Sequence, residues 1–194
     1  MKNIITDLKF SKRSQGWVHV YIDHRYSFTI DLIGAAAFSI GQELQADMVN
    51  RMKLKNGFRS AYICAIRYLG HRQRSRGEMA QYLGGRRKFS RETVSVTIER
   101  LSEEGYLDDK EFARAFVESR IRSRPRSCAL LRQELSQKGI DDEVIVTVLE
   151  GVDDERLARC SIEKKLKLWV KLDPATFKKR LIGFLQRRGF SLSV

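Results

Sequence analysis

Cysteine is scarce in this chain, and nowhere is there a long apolar run. Cys64, Cys128 and Cys160 are the three cysteines in 194 residues. Odd in number, far apart and each in a segment of helical pattern, they predict small buried fillers in a reducing compartment and speak against a disulfide framework or a zinc site. The longest apolar run, Leu32 to Phe38, is far too short to span a bilayer, and the opening Met1-Lys2-Asn3-Ile4-Ile5-Thr6-Asp7 has no signal-type apolar region. A soluble cytoplasmic protein without membrane contact is expected. His19, His24 and His71 are isolated, Gly84-Gly85-Arg86-Arg87-Lys88 lacks the Gly-Lys-Ser/Thr close of a phosphate-binding loop, and no nucleophile or cofactor motif stands out. The expectation is a protein that is not an enzyme and uses no metal or cofactor.

What the chain has in excess is positive charge. Its formal net charge is +13 and its pI about 9.9, which favours a polyanionic partner such as nucleic acid. The excess is uneven, +3 over residues 1 to 57, +8 over 58 to 138 and +2 over 139 to 194, so the middle third is the electrostatic candidate.

Residues 4 to 30 alternate with period two. Val18, Val20 and Ile22 share one face and Tyr26, Phe28 and Ile30 the next, around the polar turn Asp23-His24-Arg25. Thr6, Leu8 and Phe10 predict a preceding strand across the turn Ser11-Lys12-Arg13-Ser14-Gln15-Gly16, giving a three-stranded antiparallel sheet. Leu32 to Phe38 is expected to pack on it as a short helix. Trp17, on the face opposite Val18 and Val20, either suits a partner contact or packs against residues 32 to 38. A polar helix over 45 to 56 follows.

From Arg59 onward the apolar spacing is helical and the segments come in threes. In the first triplet one helix carries Tyr62, Ala65, Ile66 and Leu69. The next opens at Ser75 with Glu78 in a capping-box position and ends near Leu83 and Gly84-Gly85; the third opens at Ser90 with Phe89 and Val94 as a staple. Between triplets, Gly105 takes the left-handed position after a helix and lets Tyr106 fold back. Asp108 is the N-cap, Glu111 stands at N3, and Leu107 and Phe112 form a staple. Asp108, Asp109 and Glu111 are read as caps and first-turn acids rather than as a metal or acid–base cluster. The plan recurs with Phe112, Ala115 and Phe116, a helix from about Ser127 to Leu135, and a third opened by Ile140-Asp141. It recurs again with Leu157 to Trp169, then Asp173-Pro174 and Phe177 to Leu185. A period near fifty residues predicts tandem three-helix units burying their apolar faces on one another. The expected architecture is mainly α: an elongated curved array preceded by a small β-rich N-terminal domain, with domains at 1–57, 58–107, 108–152 and 153–194, the last without its third helix.

Arg74-Ser75-Arg76-x-Glu78, then Glu104-Gly105-Tyr106-Leu107-Asp108-Asp109-x-x-Phe112-Ala113, then Leu131-Arg132-Gln133-Glu134-Leu135-x-x-Lys138-Gly139-Ile140, in that order on a basic chain, resemble the RecX family of RecA-recombinase regulators. The β-rich start, with Val20-Tyr21-Ile22-Asp23 and Gly41-Gln42-Glu43-Leu44, is similar to an N-terminal extension found in some members. The resemblance implies a non-enzymatic regulator in DNA repair that binds the RecA–DNA filament and depresses recombinase ATPase and strand exchange, and that binds single- and double-stranded DNA without sequence preference. A monomer is expected.

The residues expected to meet DNA phosphates or acidic protein are Arg72, Arg74, Arg76, Arg86, Arg87, Lys88, Arg91, Arg120, Arg122, Arg124, Arg126, Arg132 and Lys138. Arginines alternating through short linkers fan outward, a pattern suited to phosphate or carboxylate. Charge reversal at Arg72, Arg74 and Arg76 is expected to weaken filament binding without unfolding. Lys164, Lys165, Lys167, Lys178, Lys179 and Arg180 form a further basic region, with acids mixed nearby. The alternative function is sequence-specific DNA binding through a helix-turn-helix over 75–104, although Gly84 to Phe89 is long for that turn.

Overall fold

The structure, a computed structural model, describes residues 2–11 and 15–191. Lys12, Arg13 and Ser14 of the first expected turn, residues 192–194 and the side chain of Lys164 lie outside the described residues. Residues 1–71 with 80–103 make one compact unit and residues 72–79 with 104–194 a second. The expected helix-turn-helix segment is thus divided, 75–79 in one unit and 80–103 in the other.

In the first unit, β1 (Ile5–Phe10), β2 (Trp17–Ile22) and β3 (Arg25–Asp31) form the expected antiparallel sheet in chain order. Asp23 and His24 close the hairpin with φ of 48° and 64°, the two-residue turn whose twist matches the strands; Arg25 already belongs to β3. The expected common face of Tyr26, Phe28 and Ile30 fails at one place. Val20 pairs with Phe28 and Tyr21 with Tyr26, so Ser27 is an extra residue in β3. A bulge of this kind transfers what lies beyond it to the other face. Phe28 is buried with Ile5, Val20 and Ile22, whereas Tyr26 is 53% exposed beside His19 and Tyr21.

Only Leu32–Ala35 of the apolar stretch is helical (α1), capped by Asp31, which accepts from Gly34 N–H at 2.7 Å. Ala35 and Phe38 reach the core, but one turn presents too few positions to bury the rest, and Leu32 and Ile33 stay exposed. The polar segment from 45 and the first helix of the first triplet are one helix, α2 (Ala46–Leu69). After α3 (Arg76–Ala80) the chain widens into a π-helical turn, Gln81–Arg86, where an ordinary helix end is expected. Leu83 is fully buried there. Ser90 then caps α4 (Arg91–Glu103), accepting from Thr93 N–H at 3.2 Å.

The second unit holds α5 (Asp109–Ser123), α6 (Cys128–Gln137), α7 (Asp142–Leu149), α8 (Asp154–Trp169) and α9 (Pro174–Gln186). Asp108 caps α5 as expected, accepting from Lys110 and Glu111 N–H at 2.9 and 3.0 Å, and the staple residues Leu107 and Phe112 are buried. Tyr106, expected to fold back, is 55% exposed. Phe112, Ala113, Val117, Leu131, Leu135, Ile140 and Ile145 make one core, and Leu157, Ala158 and Phe190 a smaller one.

Two joints in this unit repeat each other. Ser75 Oγ accepts from Glu78 N–H (3.0 Å) and donates to the Lys138 carbonyl (2.6 Å), while the Asp109 carboxylate accepts from Arg76 N–H (2.8 Å). One repeat later, Ser127 Oγ accepts from Leu130 N–H (3.2 Å), Ser127 N–H donates to the Arg188 carbonyl (3.0 Å), and Asp154 accepts from Cys128 N–H (2.7 Å). A helix start in one triplet is thus satisfied by an acid and a carbonyl from the next. Gly77 and Gly139 make the first joint possible. A β-carbon at Gly77 would stand 2.4 Å from the Lys138 carbonyl oxygen, and Gly139 has φ of 74°.

Candidate nucleic-acid interface

The thirteen basic residues expected to bind do not form one class. Glu78 does not complete its capping box; its carboxylate takes two hydrogen bonds from Arg72, both 2.9 Å, and one from Lys138 at 2.7 Å. Burial pushes this carboxyl up, but the hydrogen bonds and charges of Arg72 and Lys138 outweigh it and bring it from 4.5 down to about 2. Reversing Arg72 would leave that carboxylate facing another, so such a change tests folding before it tests binding. Because the folded carboxyl titrates below its unfolded value, its contribution is full above pH 4.5 and disappears as pH falls toward 2. Glu78→Gln is therefore expected to be less stable than the parent at pH 7. The gap should close between pH 4.5 and 2 in urea unfolding series; a gap independent of pH would contradict this.

Arg74 is half-buried, and Arg76 is exposed with its backbone N–H held by Asp109. In the first unit Arg86, Arg87, Lys88 and Arg91 are all exposed; Arg87 points one nitrogen at Cys64 Sγ, 3.1 Å away. Arg132 meets Asp142 at 3.4 Å, with both side chains solvated, a weak pair.

The densest arrangement lies where α5 turns into α6. Arg124 precedes Pro125, which disfavours helical geometry before it, and α5 stops at Ser123. Arg120 Nε donates to Glu134 at 3.0 Å and its guanidinium lies 4.6 Å from the Phe116 ring; Arg126 pairs with the other Glu134 oxygen. Arg188 donates to the carbonyl of Pro125 at 2.8 Å and stacks on Phe184 at 4.5 Å. Burial, with the charges of Arg120, Arg124 and Arg188, pushes the Arg126 pKa down, and burial with Arg124 does the same to Arg188. These directions mark an excess of positive charge, paired among the described residues with Glu134 alone. Arg122 and Arg124 project outward, with no side-chain partner among the described residues. Arg188 escaped the sequence reading. Its signal is Arg188-Gly189-Phe190, which repeats Lys138-Gly139-Ile140, with Gly139 and Gly189 at φ of 74° and 82°.

Of the cysteines, Cys64 and Cys128 are partly buried, but Cys160 is exposed and fills nothing. Burial and Asp154 push the Cys128 thiol up to about 12. Among the described residues no His, Cys, Asp and Glu side chains group to hold a metal ion, and no helix is long and apolar enough to cross a membrane.

Three family descriptions match consecutive stretches: RecX, first three-helix domain, over residues 61–101; RecX, second three-helix domain, over 108–149; and RecX, third three-helix domain, over 153–194. A regulatory protein RecX from Chlorobium phaeobacteroides is 40% identical over 132 residues, 68% of this chain and 86% of that protein. The chain belongs to the RecX family of regulatory proteins. A RecX from Bacillus subtilis is 29% identical over 98% of this chain and 74% of its own length. The RecX fold is also found in solved structures. One crystal structure of a regulatory protein RecX has a TM-score of 0.66 at 21% identity, over 98% of this chain and 95% of that one. RecX from Lactobacillus salivarius has a TM-score of 0.61 at 21% identity, over 72% and 92%.

Proposed function

We propose that this RecX-family chain acts by binding a RecA-type recombinase filament on DNA and lowering its ATPase and strand-exchange activity, with no chemistry of its own. The supporting observation is the turn between α5 and α6, where guanidiniums outnumber carboxylates and Arg122 and Arg124 face solvent. A fixed guanidinium cluster suits phosphate oxygens or an acidic protomer face equally well. Arg86, Lys88 and Arg91 supply a further exposed basic patch on the first unit. On bare DNA the binding is electrostatic, indifferent to sequence and weakened steeply by salt. Titrating the chain into recombinase turning over ATP on single-stranded DNA is expected to depress the rate at near-stoichiometric amounts; an unchanged rate would sink the proposal.

A further inference from the structure

One face of the N-terminal sheet carries aromatic rings where the other carries the apolar core. Strand register places Trp17, His19 and Tyr21 on that face, and the extra residue Ser27 brings Tyr26 to join them. Tyr26 meets His19 and Tyr21 edge to face, with centroids 5.9 and 6.1 Å apart. Thr29 Oγ1 shares hydrogen bonds with His19 Nδ1 (2.8 Å) and the Tyr26 hydroxyl (2.9 Å). His19 and Tyr26 are thereby held in orientation with their polar edges engaged, and the Tyr26 ring, 53% exposed, is the most open of the four. Helix α2 walls this face with Asn56, Arg59, Ser60 and Ile63, leaving a groove of about 260 Å³ whose floor includes Trp17, His19 and Tyr26. Arg59 lies 3.5 Å over the Trp17 ring, and Lys9 4.9 Å over Tyr21.

We propose that this groove is a stacking platform for single-stranded nucleic acid, distinct from the arginine turn and independent of any recombinase. Every base has a π-face, so a row of rings accepts a strand whatever its sequence. Trp17, His19 and Tyr21 succeed one another every second residue, about 6.6 Å apart along the strand. That is close to twice the ~3.4 Å rise per base, a spacing that an extended strand can follow. Arg59, set over the Trp17 ring at the groove wall, is the cation placed to meet its phosphates. Of the acids on this face, Asp7 is tied to Lys9 at 3.0 Å and Asp31 to the start of α1. A docking helix would need aliphatic ridges to meet, and among the described residues of the groove only Ile63 is aliphatic. A duplex keeps its bases stacked inside and would leave the rings unused.

The test uses the full chain carrying Trp169→Phe, which makes Trp17 the sole tryptophan. Oligothymidylate bearing a fluorescent label reports binding by anisotropy, while Trp17 emission reports stacking. Trp17 is expected to be quenched in step with binding. Tyr26→Ala should weaken the oligothymidylate complex about tenfold and leave blunt duplex affinity unchanged, and Tyr26→Phe should restore it. Absence of binding, saturation without quenching, or equal losses for single strand and duplex would each overturn the platform. Arg59→Ala repeats the measurement with all four rings in place and is expected to weaken the single-stranded complex alone. An unaltered ATPase response with quenching intact would reject the recombinase reading and keep this one.

Discussion

Replacing Gly77 by alanine is expected to lower the melting temperature by on the order of 10 °C. The added methyl would stand 2.4 Å from the Lys138 carbonyl oxygen and 2.8 Å from Gly139 Cα. Both are backbone atoms, so no rotamer can relieve the contact. The joint must part, and with it go the hydrogen bond from Ser75 to Lys138 and the ion pair of Lys138 with Glu78. Overpacking of this kind costs about 3 kcal/mol or more where nothing can yield, and each kcal/mol corresponds to about 2–4 °C in a chain of this size. Gly85→Ala is the control, since its nearest contact would be the flexible Gln81 side chain at 3.9 Å. Calorimetry that shows equal melting for both variants would remove Gly77 from its place at the joint.

The double change Arg122→Glu with Arg124→Glu is expected to cut affinity for DNA by about a hundredfold at low salt and to reduce the slope of log K against log salt by about 2. Neither side chain has a partner among the described residues, so the fold should persist. Stability should even rise slightly, because Arg124 is one of the charges that push Arg126 and Arg188 down. The informative result is this opposition, with binding lost while unfolding moves to higher urea. Changes at Arg120 or Arg126 could not separate the two effects, since both are held by Glu134. Unaltered DNA binding by the double variant would move the contact elsewhere.

Much of the fold was legible because its signals are local. Ser75, Ser90, Ser127, Asp108 and Asp173 each cap the helix that their position announces. The extra residue in β3 was not legible. It depends on which residue across the strand is paired, and period-two counting puts Tyr26 with Phe28. Nor does composition mark the π-helical turn, which is a shift in backbone pairing. The basic residues were found as a population, but their states were not. Whether an arginine is held or projects depends on partners far along the chain: Lys138 reaches Glu78 across 60 residues and Arg188 reaches Pro125 across 63. Asp109 looks like a first-turn acid of its own helix, yet it caps the backbone of Arg76, 33 residues earlier.

The repeated joint bears on how such a chain can grow or be divided. Ser75 and Ser127, Asp109 and Asp154, Gly139 and Gly189 occupy matching places, and each contact links one triplet to its successor. An inserted triplet would bring both halves of the connection and be accepted without new chemistry. An excised triplet would carry a helix start whose acid and carbonyl were left behind. Modules by sequence, the triplets are only halves of the modules that hold together.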